Sequence, residues 1–160
     1  MTTVIEQISL VDAVRPTDRY ALDDLFSRCS PGTVRRRFIG QPRALPREFV
    51  DEALAGRPER HDAVVVRLGR GAGLAGLASL GVTAPARPEL GVLVADAWQG
   101  HGLGAAMVEA LVGRARRRGV VRTSAFVRPG RSALLNALAR RLPPEGVTRT
   151  SDGLVGVFRR

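Results

Sequence analysis

ELGVLVADAWQGHGLGAAMVEAL, Glu89 to Leu111, joins an apolar run, a loop with three glycines on alternate positions and an apolar series of helical spacing. Glu89 to about Ala95 reads as a strand. Leu103, Met107, Ala110 and Leu111 share one face of a helix running to Arg118, whose basic end, RARRR, suits a helix C-terminus, and Gly119 stops it. Glycine inside a helix costs about 1 kcal/mol relative to alanine. Three at a helix mouth therefore ask for a reason, since one makes a turn. The first N–H groups of a helix lack intrahelical partners, and its dipole adds about half a positive charge. Without Cβ atoms, a diphosphate approaches such a backbone closely. The three glycines read as clearance for an anion; a tight strand-to-helix connection is the alternative.

Outward from this stretch, residues 4 to 14 read as a first strand closed by Arg15-Pro16. Thr17 or Asp18 caps a first helix with Tyr20, Leu22, Leu25 and Phe26 as its apolar face. Pro31 starts a short basic helix through Arg37, and a third helix near Leu45-Pro46 carries Phe49, Val50, Ala53 and Leu54. HDAVVVRL, His61 to Leu68, and LAGLASLGVT after it form an antiparallel hairpin. VVRTSAFV is a fifth strand, and residues 130 to 142 form a helix with Leu134, Leu135, Leu138 and Leu142 inward. GVTRT and LVGVFR close the chain as a hairpin. The order β-α-α-α-β-β-β-α-β-α-β-β makes an α/β fold, a mixed sheet flanked by helices, read as a single domain over 1–160.

A second glycine motif, GAGLAG at Gly71 to Gly76, matches the dinucleotide fingerprint in letters. That fingerprint needs a helix to begin inside it. Here LASLGVTAPARP turns back instead, so the motif reads as a hairpin turn.

Composition excludes several chemistries. All 25 basic residues are arginine, for a formal charge of +10, and the chain has no lysine. A Walker phosphate loop and a Schiff-base mechanism both lack their residue. Cys29 is the one cysteine, and the two histidines, His61 and His101, are far apart, so no metal cluster is expected. Cys29 reads as a structural core cysteine, the five phenylalanines (Phe26, Phe38, Phe49, Phe126 and Phe158) as core and Trp98 as packing that fixes the glycine loop. MTTVIEQ does not read as a signal peptide and no run spans a bilayer, so a cytoplasmic protein is expected. The arginines suit a solvated surface, an anionic cofactor, an acidic substrate or nucleic acid.

Q-x-x-G-x-G, present as Gln99 to Gly104 after the strand ELGVLVADAW, resembles the acetyl-CoA signature of the GNAT acyltransferase superfamily. VDAVRPTDRYALDDLFSRCSPGTVRRRF also looks like the opening of its bacterial members. The resemblance covers most of the chain. It implies an acetyl-CoA-dependent N-acetyltransferase acting by direct transfer to an amine of a protein or small molecule. By the same resemblance, the backbone of Gln99, Gly100, His101, Gly102, Leu103, Gly104 and Ala105 would hold the CoA pyrophosphate. The main chain of Val92, Leu93 and Val94 would pair with the pantetheine arm. An N–H near Val94 would polarise the thioester carbonyl. Family members often carry Arg or Lys where His101 stands, so the backbone has more to do here.

The attacking amine must be neutral. At pH 7 that costs roughly 4 to 5 kcal/mol for a lysine side chain and about 1 kcal/mol for an α-amino group. Glu89 is the candidate base: some family members place a glutamate there, and alternation puts it on one face with Gly91 and Leu93. An exposed strand-end carboxylate paired with Arg87 or another arginine is the alternative role, and His61 is a weaker candidate base. The family's leaving-group tyrosine has no counterpart in GRSALLNALARRL, where Gly130 or Ser132 also replaces its asparagine. Ser124, Ser132 and Asn136 are the remaining polar candidates. Asp18, Asp23 and Asp24 are three acidic residues near the first helix, read as a solvated face rather than a greeting for a cationic acceptor. Two alternatives stay open. One is a non-catalytic acyl-CoA-binding domain of the same fold. The other is a basic nucleic-acid-binding domain using the arginine surface, in which seven aromatics at mostly core positions argue against single-strand stacking platforms. A homodimer is left open.

Overall fold

Sheet formation centres on the valine run of HDAVVVRL. β-Branched side chains fit an extended chain and pack well on a pleated surface. Asp62 through Val66 are all buried, so this strand is covered on both faces. In the computed structural model the described residues are 8–38, 40–71, 73–84, 87–120, 122–127, 136, 138–140, 143–149 and 154–159. Among these, 8–10, 70, 82–84, 87–88, 126–127, 147–149, 154–155 and 157–159 are described by backbone alone.

The strands are β1 (Ile8–Ala13), β2 (His61–Leu68), β3 (Leu74–Ala84), β4 (Arg87–Val94), β5 (Arg122–Val127), β6 (Pro144–Arg149) and β7 (Leu154–Arg159). The helices are α1 (Arg19–Ser27), α2 (Pro31–Arg37), α3 (Arg47–Leu54) and α4 (Leu103–Arg117). Short 3-10 turns lie at Gly69–Gly71 and Asp96–Trp98. The sheet order is β1-β2-β3-β4-β5-β7-β6. Neighbours are antiparallel except β4 and β5, which are parallel across the α4 crossover. Of the helix expected over 130 to 142, Asn136, Leu138 and Ala139 are helical and the rest lies outside the described residues.

Two apolar layers cover the sheet. On one face α4 buries Leu103, Met107, Val108, Leu111, Val112 and Ala115 against Val64, Val66 and Leu90, with Leu138 beside them. On the other, Leu22, Leu25 and Phe26 of α1, Val34 of α2 and Val50 and Ala53 of α3 cover Val65, Leu77 and Leu93. Alternation along β4 thus sends Leu90, Val92 and Val94 toward α4 and Leu93 toward α1–α3. The register shift between Val66 and Arg67 leaves Ala75 without a partner on β2, a β-bulge, and its carbonyl accepts from Ala95 N–H at 2.9 Å.

Three expectations change. Tyr20 is 83% exposed and is not part of the α1 core face. Ala110 is half-buried, and Val108, Val112 and Ala115 complete the α4 core in its place. Asp18 occupies the N-cap position of α1 without capping it. Its buried carboxylate accepts instead from Arg67 at 2.6 and 2.8 Å and from Arg15 N–H at 2.7 Å, which also removes it from the expected solvated acidic face. The GAGLAG segment is a hairpin connection, with Gly71 and Gly73 at φ +70° and +90°. Gly76 sits where a Cβ would come within 2.7 Å of Met107 Cε and 3.1 Å of Leu93 O, so helix α4 packs tightly there.

Candidate functional site

β4 pairs with β3 along its length, but its parallel pairing to β5 is confined to Glu89 with Ser124 and Leu90 with Ala125. From Gly91 to Val94, the edge toward β5 has no strand partner among the described residues. This opening leads into the glycine loop. Gln99 Nε2 donates to Val94 O at 3.0 Å and to Thr33 Oγ1 at 2.9 Å, tying the loop to the end of β4 and to α2. Asp96 fixes the other side, accepting from Ser30 N–H at 2.8 Å and Ser30 Oγ at 2.7 Å. The Ser30 backbone N–H, then its hydroxyl, hold the Asp96 carboxyl below its ordinary pKa. Trp98 packs against both apolar layers, and its ring lies 6.4 Å from that of His101.

Gly100 and Gly102 lie at φ +79° and +78°, with open space where a Cβ would stand. Conformation therefore accounts for two of the three glycines, so the turn alone needs two rather than one. Gly104 has an ordinary φ, and a Cβ there would meet Val92 Cγ1 at 3.6 Å. Gly102 caps α4 without a side-chain acceptor, and the first intrahelical bond is Ala106 N–H to Gly102 O at 3.1 Å. No acceptor among the described residues takes the N–H groups of Gly100 through Ala105. Successive unpaired donors at an uncapped helix start are suited to a phosphate. The expected cofactor residues are thus contiguous along one line, from the open edge of β4 through the loop into α4.

On the α1–α3 face of the same strands lies a cavity of about 440 Å³ lined by Glu89, Gly91, Ser79, Gly81, His61, Arg37, Phe38 and Phe49, among others. Glu89 is exposed to it and shares its face with Gly91, as alternation predicts. The registers Glu89 with Gly81 and Gly91 with Ser79 place two glycines beside the carboxylate; the Arg37 guanidinium occupies the space over Gly91, and the His61 ring faces Gly81 at 3.5 Å from where a Cβ would stand. His61 stands across the cavity, its ring 4.9 Å from Phe49, and its Nε2 is buried with no partner among the described residues. Burial, then the Arg37 charge, lowers the His61 pKa, so the ring is neutral near pH 7.

The reading of all phenylalanines as core holds for Phe26; Phe38 and Phe49 are half-buried, packing against the same core layer with one side and lining the cavity with the other. The side chains of Phe126 and Phe158 lie outside the described residues. Arg37 and Ser79 were missed: Arg37 is one of three consecutive arginines, and only the fold singles it out. Ser124 is buried opposite Glu89 on β5, Asn136 is exposed, and Gly130 and Ser132 lie outside the described residues. Burial, with the Asp96 charge adding to it, pushes the Cys29 thiol up to about 11, which keeps it protonated and unreactive. No group of three or more His, Cys, Asp or Glu side chains among the described residues is arranged to hold a metal ion. No helix among them is long and apolar enough to cross a membrane.

The model of the acetyltransferase (GNAT) family matches residues 19–142. No curated protein matches the chain. Among solved structures, the GNAT domain of S. lividans PAT superposes with a TM-score of 0.75 at 23% identity, over 94% of this chain and 89% of that one. A ribosomal-protein-alanine N-acetyltransferase from Brucella melitensis gives 0.72 at 19% identity, over 95% and 99%. The putative acetyltransferase yncA from Salmonella typhimurium, solved with acetyl-CoA, gives 0.70 at 16%, over 95% and 91%. At these identities the likeness is one of fold.

Proposed function

Because the chain belongs to the GNAT acetyltransferase family, we propose that it transfers an acetyl group directly from acetyl-CoA to an amine. The observation that carries this reading is the unpaired run of N–H groups from Gly100 to Ala105 at the end of the open β4 edge. That run fits a diphosphate, and the edge from Val92 to Val94 fits an extended amide-bearing arm as an added strand. Glu89 takes the proton from the attacking amine as the new N–C bond forms and the C–S bond to CoA breaks. Neutral His61 across the cavity is the second basic group within the same space. The chain's one tyrosine, Tyr20, is exposed on α1 and takes no part. A thiol of pKa about 8.5 leaves as thiolate with little assistance.

Thermal unfolding with acetyl-CoA, and with NADH as control, tests the cofactor. At one hundred times its dissociation constant a ligand adds about 2.7 kcal/mol, a rise of roughly 5 to 10 °C for a chain of this length. A rise with acetyl-CoA alone supports the reading, and no rise at millimolar acetyl-CoA removes it. A rise without thiol release for any amine would mark a non-catalytic acyl-CoA-binding domain.

A further inference from the structure

Arg37 is a half-buried cation lining the cavity beside Glu89. Arg67, Arg114 and Arg118 each meet an aspartate, at 2.6, 2.8 and 2.7 Å, as partly buried charges require. Arg37 has no ion pair among the described residues. One N–H of its guanidinium donates to Ser79 Oγ at 3.2 Å, and no other acceptor among those residues takes its remaining donors. The group is held in place all the same. It lies flat on Gly91, where a Cβ would overlap it, and over the rings of Phe38 and Phe49 at 4.5 and 5.4 Å. Burial pushes its pKa down to about 10, against the opposing pull of Glu89, so the cation is poorly solvated where it stands.

The cavity around it carries both signs. Glu48, Glu52 and Glu89 line it with Arg37 and Arg60, and Glu52 is already engaged by Arg60 at 3.7 Å. An ammonium or amine is favoured beside Glu89 and an anion beside Arg37. A planar guanidinium fork matches a carboxylate with two parallel hydrogen bonds. With Arg60 and Glu52 paired, a dianionic phosphate would meet one cation and two carboxylates, Glu48 and Glu89, among the described lining residues.

We propose that Arg37, with Ser79, is the carboxylate subsite of the acceptor pocket, and that the acceptor is a small amino-carboxylate. Its amine faces Glu89 and its carboxylate seats on Arg37. This inference rests on the acetyl-transfer reading and adds the acceptor class to it.

The test compares glycine, alanine, methionine and glutamate with their α-amides, which keep the amine and lose the carboxylate charge. Two readouts are taken on the full chain with CoA or acetyl-CoA present: binding by calorimetry and thiol release. A charge-assisted contact predicts that acids exceed amides by about ten- to a hundredfold in affinity and in kcat/KM. Arg37→Gln should abolish the preference, and Arg37→Lys should retain part of it. Both variants should keep the wild-type thermal shift with acetyl-CoA, which shows that they fold. If Arg37→Gln does not fold, the acid-to-amide comparison on wild type decides alone. Equal or better use of the amides, no measurable binding of any acid, or a preference that survives Arg37→Gln would overturn the proposal. Arg37-dependent binding of an acid without thiol release would uphold the subsite while removing acetyl transfer.

Discussion

Gly102 and Gly119 flank α4 as a matched pair. Both lie at φ +78°, and at both a Cβ would meet nothing within 4 Å. Alanine at either position adds one methyl group in open space and forces a side-chain-bearing residue into the left-handed region. That strain costs roughly 1 to 2 kcal/mol. For a chain of this length, each substitution should lower Tm by about 2 to 8 °C, and by similar amounts. The two ends differ in what they face. Gly102 lies within the run of N–H groups that have no acceptor among the described residues, whereas Gly119 follows the helix, with its N–H donating to Arg116 O at 3.0 Å. The methyl of Gly102→Ala stands where a diphosphate would approach. The assay is thermal unfolding of both variants at a series of acetyl-CoA concentrations. Gly119→Ala should keep the full ligand-induced rise, and Gly102→Ala should lose at least half of it. If the two variants keep the same rise despite equal losses in the free protein, the loop is only a turn.

Three further outcomes follow from particular groups. Asp62, buried, accepts from Arg114 at 2.8 Å and Arg118 at 2.7 Å and so clamps β2 to the end of α4. Asp62→Ala strands two partly buried cations and should cost about 3 kcal/mol in urea unfolding; a change below about 1 kcal/mol would refute the clamp. The Asp18 pKa is lowered, chiefly by the Arg67 hydrogen bonds. A carboxyl held lower in the folded state than in the unfolded one stabilises above the unfolded value, about 3.9, and that stability is lost as pH falls through the folded value. Urea midpoints measured downward from about pH 5 should therefore fall less steeply in Asp18→Asn than in wild type. Glu89→Gln should depress kcat/KM more for acceptors with a lysine-like amine than for those with an α-amine, since deprotonation costs about 4 to 5 against about 1 kcal/mol. Steady-state thiol release with each acceptor reads this, and equal losses would remove Glu89 as base.

The elements were legible where a local pattern sufficed. HDAVVVRL is β2 from His61 to Leu68 as read, and the last loop glycines mark the start of α4 at Leu103. The face of β4 carrying Glu89, Gly91 and Leu93 followed from alternation alone. What escaped depends on partners distant in sequence. Asp18 has the look of a helix cap until Arg67, 49 residues away, takes its carboxylate. Arg37 is indistinguishable from Arg35 and Arg36 until α2 lays it on Gly91. Phe38 and Phe49 carry no local sign that they border a cavity as well as the core. The opening between β4 and β5 is likewise a property of the sheet, since nothing in either strand's composition says that pairing stops after Leu90 and Ala125.

The central claim is acetyl transfer to an amine, and its most direct measurement is CoA thiol release from acetyl-CoA with the amine's mass followed in parallel. Free thiol should appear only when an acceptor amine is present, the amine should gain one acetyl group for each thiol released, and Glu89→Gln should slow both together. A protein that is stabilised by acetyl-CoA yet leaves the thioester intact with every amine offered would contradict the claim.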